Sequence, residues 1–169
     1  MQIPERLINF KVYEEGEQFI GVADIDLPEY ENMTETVSGA GIMGELDTPT
    51  VGHYGAMSVT LNWRSIVKDL IYLSTPKTHK LDIRGAVQSI DSATGEIVKK
   101  QVRVYLWCLP KKTSAGKMEK ASPTDSSNEL SVIYYKLSID GEKMLEIDIL
   151  NEICYILGTD YYADVKSLL

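Results

Sequence analysis

The sequence predicts a mainly β protein, an antiparallel β-sandwich or split barrel with two short helices. Three observations predict it. Apolar and polar residues alternate through Met57-Ser58-Val59-Thr60-Leu61-Asn62-Trp63 and again through Val102 to Cys108, which is the period of half-buried strands. Turn chemistry separates such runs, above all Asp140-Gly141, a favoured two-residue hairpin turn. Ten tyrosines stand against two Phe and two Trp. A ring that carries a hydroxyl suits strands and half-buried subunit contacts better than a dry core.

Taken in order, Arg6 to Tyr13 and Gln18 to Leu27 read as strands joined by the polar turn Glu14-Glu15-Gly16-Glu17, and Pro28 ends the second. Residues 29–50 are polar and Gly-rich. A structureless loop of that length is uncommon in a compact domain, so a projecting hairpin with its glycines at or near the tip is preferred. After the Met57–Trp63 strand, Ser65 is placed as the N-cap of a helix over Ile66 to Leu73, closed by Pro76. Lys80 to Ile90 and Ile97 to Leu109 pair around Asp91 to Glu96, and Pro110 to Asn128 reads as a solvated loop. Glu129 to Ile139 is apolar on both faces along much of its length, as for a strand covered on two sides. Met144 to Asp148 follows the Asp140-Gly141 turn. A helix is expected from about Ile149 to Leu157, stopped by Gly158, and Tyr161 to Leu169 could add a short tail helix. The sum is seven or eight strands in one domain spanning residues 1–169.

Composition bounds function. The net charge of −8 argues against tight binding to a phosphate backbone. The charge is also divided: residues 1–50 hold eleven Asp or Glu against Arg6 and Lys11, whereas residues 99–120 hold seven Lys or Arg against Glu119. Such a split fits either two differently charged faces or a self-assembling protein whose acidic surface meets the basic surface of the next copy. Cys108 and Cys154 sit in apolar strings without CxxC spacing, as buried thiols of a reducing compartment. No leader-like start or membrane-length apolar run is present, so the expectation is a chain kept in the cytoplasm or released only by lysis or a dedicated machine.

Signatures of chemistry fail in turn. Gly39-Ala40-Gly41-Ile42-Met43-Gly44 spells G-x-G-x-x-G, yet no apolar strand precedes it and no helical period follows. Glu35 and Glu45 flank it with the wrong charge for a phosphate. His53 and His79 lack partners at metal-ligand spacing and read as lone surface or turn residues. Asp24 with Asp26, and Glu146 with Asp148, are carboxylate pairs on strands that read as water-facing edges and not as a glycosidase pair. No catalytic residue, cofactor or metal is assigned.

The segment from Leu137-Ser138-Ile139-Asp140-Gly141-Glu142 through Leu150-Asn151, with the expected helix that ends in Gly158-Thr159-Asp160, resembles the closing part of the major tail tube proteins of contractile-tailed bacteriophages. Ile3-Pro4-Glu5-Arg6-Leu7-Ile8-Asn9-Phe10, the strand into Leu27-Pro28, the Gly39–Gly44 run and the strand ending at Trp63 fit the same family in order, so the resemblance spans nearly the whole chain. It implies a structural subunit of six-membered rings stacked into a hollow tube inside a contractile sheath, with strands of all subunits joined in one inner barrel. DNA would pass through an acidic lumen without specific binding. Implied partners are further copies of the chain, the tail sheath, and the tape measure and baseplate proteins; the implied location is the virion tail, assembled in the host cytoplasm. Inter-ring contacts are expected from the hairpin (Glu35, Gly39, Gly41, Met43 and Gly44) and the amino terminus (Ile3, Pro4 and Arg6). The tube of a DNA-free contractile bacteriocin or secretion device stays open as an alternative, as does a monomeric β-sandwich binding module.

Overall fold

The computed structural model describes all residues, Met1 to Leu169. In chain order it runs β1 (Gln2–Glu14), β2 (Glu17–Phe19), β3 (Val22–Asp26), β4 (Asn32–Val37), β5 (Leu46–Tyr54), β6 (Met57–Trp63), α1 (Lys68–Tyr72), β7 (His79–Asp91), β8 (Ile97–Ser114), β9 (Ser126–Ile139), β10 (Glu142–Asp148), β11 (Ile153–Ile156), β12 (Thr159–Asp160) and α2 (Ala163–Ser167). All pairings are antiparallel. The main sheet has the order β12-β11-β10-β9-β8-β7-β1-β2, and β6 attaches to β9 with β3 beyond it. Strands β4 and β5 form a separate two-stranded sheet.

The long strand β9 makes this branched arrangement possible. On one side β8 follows it from end to end. On the other, Ser126 to Val132 pair with β6 and Tyr134 to Ile139 pair with β10. The path β3-β6-β9-β8-β7-β1 therefore coils round one core. It is not closed: β3 pairs only with β6, and the first half of β1 pairs only with β7. The short β2 bridges that split at one end, where Phe19 packs on Trp63 with ring centroids 6.0 Å apart.

The core follows from the period-two pattern. Met57, Val59, Leu61 and Trp63 of β6 face Leu130 and Val132 of β9, Val104, Leu106 and Cys108 of β8, Leu81 and Ile83 of β7, and Val12 of β1. Leu70 and Leu73 from α1 and the turn after it lie over this cluster. One buried polar residue ties these layers together. Asn128 accepts a hydrogen bond from Trp63 Nε1 at 2.9 Å and donates Nδ2–H to the Leu70 carbonyl at 3.1 Å and to Thr113 Oγ1 at 2.9 Å.

The expected Asp140-Gly141 turn forms with both residues at positive φ, +50° and +81°, as its type requires. Several other expectations are corrected. The strand expected over Gln18 to Leu27 is broken between β2 and β3. Strands β8 and β9 invade the expected 110–128 loop from both ends, since Pro110 is accommodated beside an irregularity where Lys111 is skipped in the register. Ser65 caps nothing: α1 starts two residues later, with Val67 at its N-cap and no side-chain cap. The helix expected over Ile149 to Leu157 is instead a tight turn followed by β11. Asp148 Oδ1 accepts the backbone N–H of Leu150 and of Asn151 at 3.1 and 3.0 Å, and Glu152 and Leu157 take positive φ, 54° and 46°, which ends helical geometry. Ile153 to Ile156 then pair with β10. The second short helix is the one at the tail, α2.

Replacing Asn128 with Ala is expected to lower stability by about 2–4 kcal/mol, because two buried backbone and indole groups lose their partners together. Urea unfolding followed by Trp fluorescence measures it. A loss below about 0.5 kcal/mol would show that the network carries no net stability.

Candidate functional site

The β4–β5 hairpin stands apart from the core. Its register runs Glu35↔Thr48, Thr36↔Asp47 and Val37↔Leu46, so residues 38–45 form the tip, and Gly39, Gly41 and Gly44 all lie within it. The G-x-G-x-x-G string thus opens no helix. Its glycines take positive φ (+147°, +90° and +125°), so the chain turns there without side-chain strain. Every residue of β4 is exposed. Met33, Val37, Ile42, Leu46 and Val51 are partly to half exposed, and Met43 is fully so. A lone two-stranded hairpin is marginal in water, and this one leaves its apolar side chains uncovered.

Contacts at its base hold it to the body. Tyr30 and Tyr54 meet edge to face at 5.9 Å, and Tyr30 also lies 6.2 Å from Tyr135 of β9. The Tyr54 hydroxyl is 3.1 Å from Cys154 Sγ, and burial first, then this bond, pushes the Tyr54 phenol well above its ordinary pKa. The Gly55 N–H donates to the Glu31 carbonyl at 2.8 Å. Gly52 (φ +73°) lies so close to Tyr162 that an added Cβ would collide with the ring.

The amino-terminal residues are not a loose arm. Ile3, Pro4 and Arg6 lie on β1, paired with Ile90, Ser89 and Gln88 of β7, with an irregularity between Pro4 and Arg6 that skips Glu5. Ile3 and Leu7 are about half exposed, and this stretch of β1 leaves its other edge unpaired. The hairpin and β1 do not pair with one another.

Three of the ten tyrosines, Tyr13, Tyr105 and Tyr134, lie on the outer face of the main sheet. Arg84 and Arg103 both donate to Asp82, at 2.9 and 2.8 Å, and stack over Tyr13 and Tyr105. Lys80 lies over Trp107, which packs on Tyr134 at 5.1 Å, and the Tyr134 hydroxyl donates to Glu146 at 2.9 Å. Burial works to raise the Asp82 carboxyl, but the two guanidinium groups outweigh it and hold it below the ordinary carboxylate range. The second face of β9 is thus covered around Tyr134 and Lys136 by rings and cations of its own sheet.

The remaining chemistry-bearing residues are structural. His79, expected at the surface or in a turn, is fully buried. It shares the inward face of β7 with Leu81 and Ile83; its Nδ1 lies 3.0 Å from Glu14 Oε1, and its Nε2–H donates to the Thr75 carbonyl at 3.0 Å. Strand alternation from Leu81 back to His79 was the available signal. Asp148, expected at a water-facing edge, is buried and holds the turn after β10. Asp24 bonds Asn62 on the neighbouring strand. Cys108 and Cys154 are buried free thiols, and burial, with the nearby Glu14 charge, pushes Cys108 up to about 12. No group of three or more His, Cys, Asp or Glu is placed to hold a metal ion, and no helix is long and apolar enough to cross a membrane.

Residues 4–169 match the family described as phage tail tube protein FII. The chain belongs to this family. It is 26% identical over 165 residues to the major tail tube protein of Serratia phage KSP20, covering 97% of this chain and 94% of that one. It is likewise 26% identical over 167 residues to the tail tube protein of Escherichia phage P2, covering 95% and 94%. Among solved structures it is similar to the PVC sheath/tube terminator of an extracellular contractile injection system, at 15% identity and TM-score 0.49 over 80% of this chain and 96% of that one. It is also similar to a chain of the PVC sheath–tube complex, at 13% identity and TM-score 0.46 over 77% and 86%. Both phage relatives are named as tail tube proteins.

In this tail tube protein the hairpin, the unpaired edge of β1 and the charged faces of the main sheet are turned outward. Sequence reasoning missed Gly52 and Tyr162, which buttress the hairpin; a glycine inside a strand run is the signal that could have found the close approach. Gly52→Ala is expected to loosen the hairpin from the tail segment by about 1–3 kcal/mol, from left-handed strain plus the clash. Faster amide exchange confined to residues 32–54 and 161–169 checks it. Asp82→Asn is expected to cost about 1 kcal/mol at neutral pH. Because the folded-state value is lowered, that stabilisation is full above about pH 4 and fades as pH falls through the folded-state value, so wild type and variant should converge in acid melts.

Proposed function

We propose that this tail tube subunit assembles into six-membered rings that stack as a hollow tube inside a contractile sheath and form the conduit for DNA delivery. The observation that carries the reading is the 32–54 hairpin, which projects apolar side chains that its own chain leaves uncovered. Rings stack through this hairpin, with Glu35, Gly39, Gly41, Met43 and Gly44 at or near its tip, and through the amino-terminal strand at Ile3, Pro4 and Arg6. Residues 1–169 act as a single domain. The unpaired edge of β1 is suited to strand pairing between neighbours, which would close the inner barrel and remove an exposed sheet edge. The net charge of −8 supports a lumen that DNA passes without specific binding. Sheath, tape measure and baseplate proteins complete the tail, which is assembled in the host cytoplasm. The chain works by assembly and not by catalysis.

Negative-stain microscopy of the concentrated protein is expected to show rings and tubes. Deleting residues 35–46, all of them exposed, should leave the circular dichroism spectrum and the Trp fluorescence unchanged and abolish stacking. Tubes that form as before without the segment would rule the hairpin out as the inter-ring contact.

A further inference from the structure

Strand β6 separates two surfaces of opposite charge. The chain enters it from the β4–β5 hairpin at Met57, which pairs with Val132, and leaves it at Trp63, which pairs with Ser126. Beside Ser126 lies the 115–125 segment that joins β8 to β9. The seven residues of β6, at about 3.3 Å each, put roughly 20 Å between the two. Hairpin and segment therefore leave the barrel at opposite ends. Residues 29–56 contain five carboxylates and no Lys or Arg, whereas residues 111–125 contain Lys111, Lys112, Lys117 and Lys120 against Glu119 and Asp125.

The basic segment is held as a platform. Lys117 N–H donates to the Thr124 carbonyl at 2.8 Å, Thr124 N–H to the Arg64 carbonyl at 3.0 Å, and Ser126 Oγ to the Ala115 carbonyl at 2.7 Å. A Cβ at Gly116 would run into the Thr124 carbonyl. Met118 is 88% exposed between Lys117 and Lys120. Glu119 and Asp125 both lie against Lys117, at 3.5 and 4.0 Å, which leaves Lys112, Lys120 and Arg64 without a carboxylate partner. The hairpin tip has the converse make-up: Met43 stands without cover beside Ile42, and Glu35 and Glu45 flank the tip.

Two other surfaces fit the tip less well. The open seam of about 400 Å³ between β1 and β3 is apolar and offers no cation, only Asp24. A groove of about 420 Å³ beside β1, rimmed by Lys11 and Lys99, opens on the outward face of the main sheet, on the hairpin's side of the barrel.

We infer that the 115–125 segment of one copy is the seat for the hairpin tip of the next, with Met43 against Met118 and Glu35 and Glu45 meeting Lys120 and Arg64. This rests on the hairpin being the inter-ring contact and names the surface that receives it. Tip and seat stand at opposite ends of one strand, so displacing identical copies along that strand brings them together. Such a head-to-tail contact propagates instead of closing a pair. An apolar centre with an ionic rim is also the usual build of a specific interface. The amino terminus has the same polarity: Ile3 pairs with Ile90 beside Ile97, where β8 begins, and the seat follows Ser114, where β8 ends. The edge of β1 takes no part and stays free for a neighbour's strand.

The test is site-directed crosslinking of assembled protein. Met43→Cys and Met118→Cys variants are mixed, assembled and oxidised; both positions are exposed, and Cys108 and Cys154 are buried, which keeps background low. A 43–118 dimer on a non-reducing gel, needing both variants and assembly, is expected. Arg64→Glu with Lys120→Glu should leave the circular dichroism spectrum unchanged and raise the concentration needed for assembly by about tenfold or more. Adding Glu35→Lys and Glu45→Lys to the same chain should restore assembly. Tubes that give no 43–118 product while the 35–46 deletion still blocks stacking would overturn the seat and leave the hairpin contact standing. Crosslinking of Met43→Cys to Val87→Cys in the seam, or to Lys99→Cys in the groove, in place of Met118→Cys would do the same. Assembly indifferent to the deletion, or wild-type protein that forms no tubes, would overturn both.

Discussion

Nearly every other element takes its position from β9, because β9 is hydrogen-bonded on both sides while its partners on one side change half-way. Ile133 marks the change: it falls between the last residue paired with β6 and the first paired with β10, and its carbonyl accepts the N–H of Ile149. A strand covered on both edges has no freedom to slip, since a one-residue shift would turn Leu130 and Val132 out of the core and Ser131 into it. Asn128 fixes the same register from within, by bonds that reach α1, β6 and β8 at once. Branching here also leaves β3 and β1 on opposite sides of a gap that no remaining strand fills.

That gap and the hairpin are two places where the fold leaves apolar side chains uncovered. Much of the outward face of the main sheet is settled by local pairings, as where Arg84 and Arg103 share Asp82 or Lys80 lies on Trp107. The uneven charge along the chain acquires a spatial meaning from this. The acidic half includes the hairpin, and part of the basic half rims the groove beside β1.

Strands were legible in the sequence wherever one face is wet. Met57 to Trp63 alternates because β6 has core on one side only, and Asp140-Gly141 announced its turn because both residues must adopt positive φ. The hairpin over 29–50 was legible for a different reason: polar, Gly-rich chain of that length has little else to become. The misreadings fell where a long-range contact overrode a local pattern. Ile149, Ile153, Ile156 and Leu157 carry helical spacing, but the same spacing serves a turn held by Asp148 followed by a strand against β10. His79 read as exposed because its partner, Glu14, is sixty-five residues away in the chain. The order and spacing of segments pointed to the family, whereas the open seam between β1 and β3 depends on long-range pairings that no local pattern carries.

The two cysteines carry a consequence for where such a protein can exist. Cys108 is sealed in the core with its thiolate suppressed, and Cys154 is buried against the Tyr54 hydroxyl. Exchange and oxidation both begin from an accessible thiolate. The thiols therefore gain nothing from a reductant and risk little from oxygen. This chain can be made in one redox environment and endure in another with both thiols unchanged.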